Sequence, residues 1–524
     1  MNDDIRQMIQ SLLSDPDRLL QKKPFYRKIV SDPNITVLTG MGLMGSAGIG
    51  DTVRARIPSL RRMILTNEQV MREFDPWSHS VLTDENVPCI TVKSAEGGWI
   101  NVEQKRMPAS YQQCIVKKQT LHLCKNPMSH TLLNQNPTEA QGKHFIKIKE
   151  VWKERNLDGL KTDCVFTQKS QLEVGLLFYF DHRGKVRARV LKYSDGYNII
   201  THKDNNGDHI LECVYYSKDN VDYIDCYDDN YMYRISSDGD IITDEKGVIL
   251  SEGWRRHEPV RHGFSECPLI TKRGPVAWDN VQDLIEVYER TYNTFMVIQN
   301  RYGWGVLYIK GKFNQTGQKV AGNVVLNDSS LDPNADAKIL TPPSPANMIE
   351  TLDQLENSIQ KGAGSTFILP KDIKMSGDTS GIAVQLTQEL DIETAMTDVI
   401  EWQNFANKMM RLFKEGLAIE LVNGGEPDYA NAITDFAKLR INSEFVVWRP
   451  QSNEAYNQML TTLHGAGGIS ARTLIEKNTE SCPDEVARIS REEKEKAEKE
   501  IEMQRKLAGT GTETTEETIV SDKE

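Results

Sequence analysis

Lys371 and Lys374 lie three residues apart in the polar stretch "ILPKDIKMSGDTSGIAVQLTQEL" (Ile368 to Leu390), with Ser376, Thr379 and Ser380 close behind. Ammonium and hydroxyl groups are the donors that meet phosphate oxygens. Such a loop can cradle a phosphate, hold a metal or line a passage. One lysine pair is too little to grip phosphate firmly, and Asp372 and Asp378 weaken it further. Repeated around a ring, the same pair becomes a girdle of weak contacts. The plainer reading is a helix–helix connection in which Asp378 or Thr379 caps the helix that follows.

A second glycine-bearing stretch, "ITVLTGMGLMGSAG", places Gly40, Gly42 and Gly45 at dinucleotide-binding spacing after the strand-like Ile35 to Leu38. The rest of that unit is missing. Gly48 and Gly50 continue where a helix should start, and no parallel-strand run ends in an acid at the right distance. A tight glycine turn is the default, and a nucleotide-dependent enzyme is kept as the alternative. In "HKDNNGDHILEC", placing Gly207 at the sixth position of a calcium loop puts His202 first and Cys213 twelfth, both wrong for oxygen ligation. The ten histidines contain no HExxH pair, and the chain has neither a GxSxG elbow nor a phosphate loop ending in Gly-Lys-Ser/Thr. No catalytic residue, metal site or cofactor is assigned.

The chain has 524 residues and a formal net charge of -12, which argues against a conventional basic DNA-gripping surface. Its eight cysteines are scattered without CxxC spacing and read as free thiols of a reducing compartment. The N-terminus shows no signal pattern, and no apolar run is long enough to span a membrane.

The elements around the loop follow from periodicity. Residues 1 to about 75 look partly helical, and "HFIKIKEVWKERNLDGLK" reads as a basic amphipathic helix. From Asp163 to about Ile270 short alternating runs are split by the turns "DHRGK", "DNNGD" and "SSDGD", which predicts antiparallel strands and an α+β fold. A helix is expected over Ala277 to Tyr302, then a β-rich insertion. A second helix has Ser344 as its N-cap and stops at Gly362 and Gly364. After the lysine loop, a helix from about Gly381 to Leu421 carries the apolar face Leu386, Leu390, Met396, Val399, Trp402, Phe405, Ala406, Met409 and Phe413. A strand, "INSEFVVWRP", two helices starting near Asn453 and Ser470, and a highly charged helix from Asp484 to Leu507 follow. The tail 509–524 lacks apolar mass and is expected to be disordered.

Three segments in order resemble the portal proteins of tailed bacteriophages of the siphophage type. They are "VGLLFYFDHRGKVRARVLKYSDGYNII", "GDTSGIAVQLTQELDIETA", and "WRPQSNEAYNQMLTTLHGAGGISARTLIEKN" followed by "DEVARISREEKEK". The likeness covers about residues 160 to 507. It implies a portal fold: residues 1–276 as N-terminal region and mixed α/β wing, 277–303 and 346–364 as a two-helix stem, 304–345 as a small β-rich clip. Residues 365–380 become the tunnel loop, 381–450 the wing's long helix and strand, and 451–508 a helical crown. The implied assembly is a homo-oligomeric ring of twelve copies at one capsid vertex of the virion, put together in the host cytoplasm. Its implied partners are double-stranded DNA in the channel, the terminase large subunit, major capsid and scaffolding proteins, and head–tail adaptor or tail proteins, with no membrane. Lys371, Lys374, Ser376, Thr379 and Ser380 would face the DNA channel, and ATP hydrolysis would belong to a separate terminase. A capsid structural protein without a channel is the other alternative.

Overall fold

The computed structural model describes residues 27–32, 59–64, 67–84, 90–93, 99–102, 105–135, 137–203, 209–237, 241–243, 249–252, 255–302, 306–310, 319–320, 323–324, 336–340, 346–367, 388–449, 453–468 and 474. Outside them fall Gly40, Gly42 and Gly45, the five loop residues from Lys371 to Ser380, and nearly all of the helix expected at Ser470. The charged helix and the tail also lie there. The chain divides into two compact units, Met1–Leu369 with Glu389–Trp448, and Pro370–Gln388 with Arg449–Glu524.

The first unit opens with β1 (Arg27–Asp32) antiparallel to β2 (Ser59–Ile64), then α1 (Asn67–Phe74). A second strand pair, β3 (Ile90–Lys93) and β4 (Trp99–Val102), precedes α2 (Tyr111–Cys124) and β5 (Ser129–Leu132). The single basic helix expected next is two helices. Thr138 and Gln141 form a reciprocal capping box that starts α3 (Glu139–Glu154). Asn156, at φ 51°, then breaks the chain into the left-handed region before α4 (Leu157–Gln171). Because α4 runs to Gln171, the strand region begins at Glu173 and not near Asp163. Its last turns bury Thr167, Gln168, Lys169, Ser170 and Gln171 alike, so the polar side of the expected pattern is hidden.

The "DHRGK" turn joins β6 (Glu173–Phe180) to β7 (Val186–Leu191). The next strands, β8 (Asn198–Lys203), β9 (His209–Lys218), β10 (Val221–Tyr227) and β11 (Tyr231–Ser236), form an antiparallel sheet. "DNNGD" separates the paired β8 and β9, as expected. "SSDGD" does not return β11 onto itself. The strands after it, β12 (Ile241–Thr243) and β13 (Ile249–Glu252), pair with each other, and β11 is bordered by β10, β14 (Arg255–Arg256) and β15 (Val260–Arg261). Asp219 and Asn220, both at positive φ, make the two-residue turn between β9 and β10. Finally β16 (Leu269–Arg273) returns beside β6, giving the three-stranded order β16-β6-β7. Both faces of β6 are covered: Val174, Leu176 and Phe178 enter the helical core, while Leu177 meets Val214 and Tyr227 of the other sheet.

Trp278, fully buried, stacks on Phe74 just before α5 (Gln282–Tyr302), so that helix begins five residues later than its periodicity suggested. The β-rich insertion is present: β17 (Val306–Lys310) pairs with β20 (Asp336–Leu340), and β18 (Lys319–Val320) with β19 (Asn323–Val324). Next come α6 (Ala346–Ala363), α7 (Glu389–Asn423), the short α8 (Ala432–Ala437) and β21 (Ile441–Glu444), which pairs with β5 across more than 300 residues of chain. The described part of the second unit is chiefly α9 (Asn453–Gly465).

At 1.5 Å per residue α7 is about 50 Å long. Its Trp402, Phe405, Ala406, Met409 and Phe413 are buried as the periodicity predicts, among Ile148, Trp152, Val165, Leu176 and Phe436. Leu390 and Met396 differ from expectation: they are exposed, because the helical core begins only near Trp402. Gly416 lies in that core. A Cβ there would come within 2.5 Å of Val186 Cγ2 and 3.1 Å of Phe264 Cε1, so the glycine is needed for helix–strand contact. Gly142, inside α3, has open space around its Cβ position. Substituting alanine should therefore act in opposite directions. Gly142→Ala gains about 1 kcal/mol from helix propensity. Gly416→Ala makes the same gain but loses about 1–3 kcal/mol to overpacking, for a net loss. Urea unfolding of the two variants checks the opposite signs.

Candidate functional site

The lysine loop leaves α6 and re-enters at α7, and its two ends are described although its middle is not. α6 ends in a Schellman motif. Gly364 adopts φ 59°, its N–H bonds to Lys361 O at 3.4 Å, and Ser365 N–H bonds to Gln360 O at 3.1 Å. Gly364 was expected as a helix stop, and its backbone requires a residue tolerant of the left-handed region. The carbonyl of Ala363 accepts from Gln119 Nε2 at 2.9 Å, and that of Gly364 accepts from Thr394 Oγ1 at 2.9 Å. Gln360 Oε1 then takes the N–H of Phe367 at 2.9 Å.

The decisive contact joins the two ends. Asp391, fully buried in the first turn of α7, accepts the Thr366 backbone N–H at 3.3 Å and the Thr366 hydroxyl in a short hydrogen bond. A carboxylate in that first turn also faces the positive end of the helix dipole. Outgoing and returning strands of the loop are thereby clamped at one point. Phe367 packs on Tyr111, whose ring meets Tyr288 of α5 edge-on at 5.0 Å, so the clamp is tied to α2 and α5. Beneath it Lys169 bridges Gln119 Oε1 at 2.8 Å and Asp398 at 2.7 Å. Burial raises the Asp398 carboxyl, and the Lys169 ammonium opposes that shift.

The start of α5 is rooted as firmly, through a polar network that spacing could not reveal. Glu73, His79, Gln112, Gln282, Glu289 and Asn293 are all buried. Gln112 Nε2 reaches His79 Nε2 and Gln282 Oε1, both at 3.2 Å, and Gln282 donates to Glu73 at 3.2 Å. Glu289 accepts the Ala109 N–H at 2.9 Å, and Asn293 exchanges two hydrogen bonds with the Met107 backbone. These residues come from three separate stretches of chain, and no sequence motif links them. Asp391 left a fainter sign: an acid in the first turn of a helix.

Among the described residues, no group of three or more His, Cys, Asp or Glu is arranged to hold a metal, and no helix is long and apolar enough to cross a membrane. What the geometry shows is two long helices, a clamped connection between them, and two antiparallel sheets, one of them against a helical core. Residues 101–506 match the family described as phage portal protein, SPP1 Gp6-like. The chain belongs to the phage portal family. No curated protein sequence matches it. Portal proteins are structural and, as a family, non-enzymatic; they form oligomeric rings at the portal vertex of the virion. The match takes in both long helices, the clamp and the sheets from β6 to β16, and leaves Gly40, Gly42 and Gly45 outside it.

The clamp makes its own prediction for this portal protein. Asp391→Ala strips the acceptor from two partly buried donors and should cost about 2 kcal/mol. It should also speed proteolysis between residues 364 and 388 at constant temperature, followed by mass spectrometry of the fragments. Cleavage at the unaltered rate would show that Asp391 does not hold the loop.

Proposed function

We propose that this portal protein assembles as a closed ring, of twelve copies, through which double-stranded DNA is packaged and later ejected. In this reading 277–303 and 346–364 are the stem and 304–345 the clip. Residues 365–380 are the tunnel loop, 381–450 join the wing, and 451–508 are the crown. The terminase large subunit docks on the ring during packaging, and head–tail adaptor proteins follow it. Major capsid and scaffolding proteins surround it in the head.

The family match over residues 101–506 carries this reading. Exposed apolar side chains support the ring. Ile400 is 78% exposed on α7, and Leu390, Met396, Val287 and Ile349 also face outward on α7, α5 and α6. Long helices that leave apolar positions bare gain from burial against identical neighbours. Head-to-tail contacts between unlike faces close a ring when the rotation per copy divides a full turn.

The clamp supports the tunnel-loop assignment. A loop that meets moving DNA needs a fixed root, and Thr366–Asp391 supplies one. Lys371 and Lys374 meet phosphate weakly, while Asp372 and Asp378 limit retention. Twelve copies carry a summed formal charge of roughly -144 before counterions, so the duplex is repelled from the wall and slides.

Negative-stain images and a native mass should give rings with a central hole; a compact monomer at high concentration would overturn the reading. Within intact rings, Lys371→Ala combined with Lys374→Ala should change the amount of DNA packaged or retained per particle. Unchanged packaging and retention would remove the loop from the channel while leaving the ring in place.

A further inference from the structure

Cys213 on β9 and Cys226 on β10 are directly opposite each other in the sheet register. Both are fully buried, and their sulfur atoms are 2.8 Å apart. Asp219 and Asn220 form the turn between the strands, so Lys218 and Val221 are its closing, hydrogen-bonded pair. Pairs alternate along an antiparallel ladder, which makes Cys213–Cys226 a non-hydrogen-bonded pair. Pairs of that class bring the two Cα atoms to about 4.5 Å, inside the range a disulfide spans. Ile200 and Tyr233 flank the two cysteines in the same cross-strand row, and both are buried.

We propose that Cys213 and Cys226 are a redox modification site, a dithiol that oxidises to a disulfide stapling β9 to β10. The step joins the two sulfurs and releases two protons and two electrons. The oxidant is a small azo compound or small-molecule disulfide, which takes up both electrons and both protons as it is reduced. One thiol adds across the azo N=N bond, or displaces one thiol from the small disulfide, and the second attacks the sulfur so modified and expels the hydrazine or the remaining thiol.

Cys213 and Cys226 face each other in register, and the other thiols have other contacts. Cys267 Sγ donates to the carbonyls of Tyr227 and Leu269, both at 3.7 Å. Cys124 and Cys164 lie on α2 and α4 within the helical core. Burial holds the Cys213 thiol well above its ordinary range, so the reduced pair reacts slowly while thiols outside it are abundant. Resting on the portal reading, the consequence is a wing sheet that folds reduced in the infected cell and becomes cross-linked in a released particle. The cross-link itself is read independently of ring formation.

Trypsin separates the two residues, because Lys203, Lys218 and Arg234 bound one peptide for each cysteine. The full-length protein is treated with diamide under native conditions, blocked with N-ethylmaleimide, unfolded and digested without reduction. The expected product is peptide 204–218 joined to peptide 219–234, two hydrogens lighter than their sum and split by a reductant. Oxidation should also raise the midpoint of urea unfolding in the native chain and leave it unmoved in Cys226→Ala. Recovery of both peptides as blocked thiols, after exposed Cys114 has reacted fully, would overturn the proposal. So would joining of Cys213 to any other cysteine.

Discussion

Burial of one face of α7 is the interaction on which the remaining architecture depends. From Trp402 to Leu421 this helix contributes side chains to the same core as α3, α4, β6, α8 and the segment around Phe445. Each fully buried large side chain is worth about 1.5–3 kcal/mol, so the run from Trp402 to Phe413 makes a large apolar contribution to the unit. That burial brings together parts of the chain far apart in sequence. β21 reaches β5, and Arg155 pairs with Glu420 through two hydrogen bonds, only because α7 holds both ends of the unit in place. Gly416 shows how tight the contact is, since strand β7 approaches the helix backbone where a side chain would stand.

The loop clamp is a consequence of the same helix. α7 is rigid at Trp402, and the helical hydrogen-bond ladder carries that rigidity back to Asp391. A buried carboxylate at this end has to be satisfied, and Thr366 satisfies it with both its backbone and its hydroxyl. The Schellman end of α6 and the Thr394–Gly364 bond fix the other side. The root of the loop is thus held by directional bonds between groups removed from water. Such bonds keep one geometry where apolar contacts alone tolerate sliding.

Most elements that could be read from sequence are those whose periodicity matches burial on one side. α5, α6 and the middle of α7 have it, while β6, covered on both faces, is legible as an apolar run ending at the "DHRGK" turn. Reading failed where burial did not follow residue polarity. The end of α4 is hidden all round, polar residues included, and looked like a strand region. α7 was given apolar cover at Leu390 and Met396, where this chain provides none. Gly364 signalled the helix stop correctly because a positive φ is a local demand, whereas Gly362 lies within α6. The Thr366–Asp391 clamp and the Glu73–His79–Glu289 network were illegible because they join distant segments through single hydrogen bonds, and no spacing encodes that.

The contrast between these two kinds of position bears on why the chain is built this way. Several interior polar groups are anchored: Asp391, Glu289, Asn293 and Lys169 each meet a named partner. Apolar side chains are exposed at Ile400, Val287 and Ile349 on the long helices, as they are at Trp77, Leu133 and Val260 elsewhere. A protein that worked alone would gain solubility by placing charge at those sites, as it does at Lys143 and Glu139 on α3. Keeping apolar side chains bare on rods whose roots are locked preserves a fixed angle between unlike faces. A ring requires that fixed angle, because a small error per copy accumulates around the circle and prevents closure. In the proposed ring, rigid internal bonding and bare external faces are two halves of one requirement.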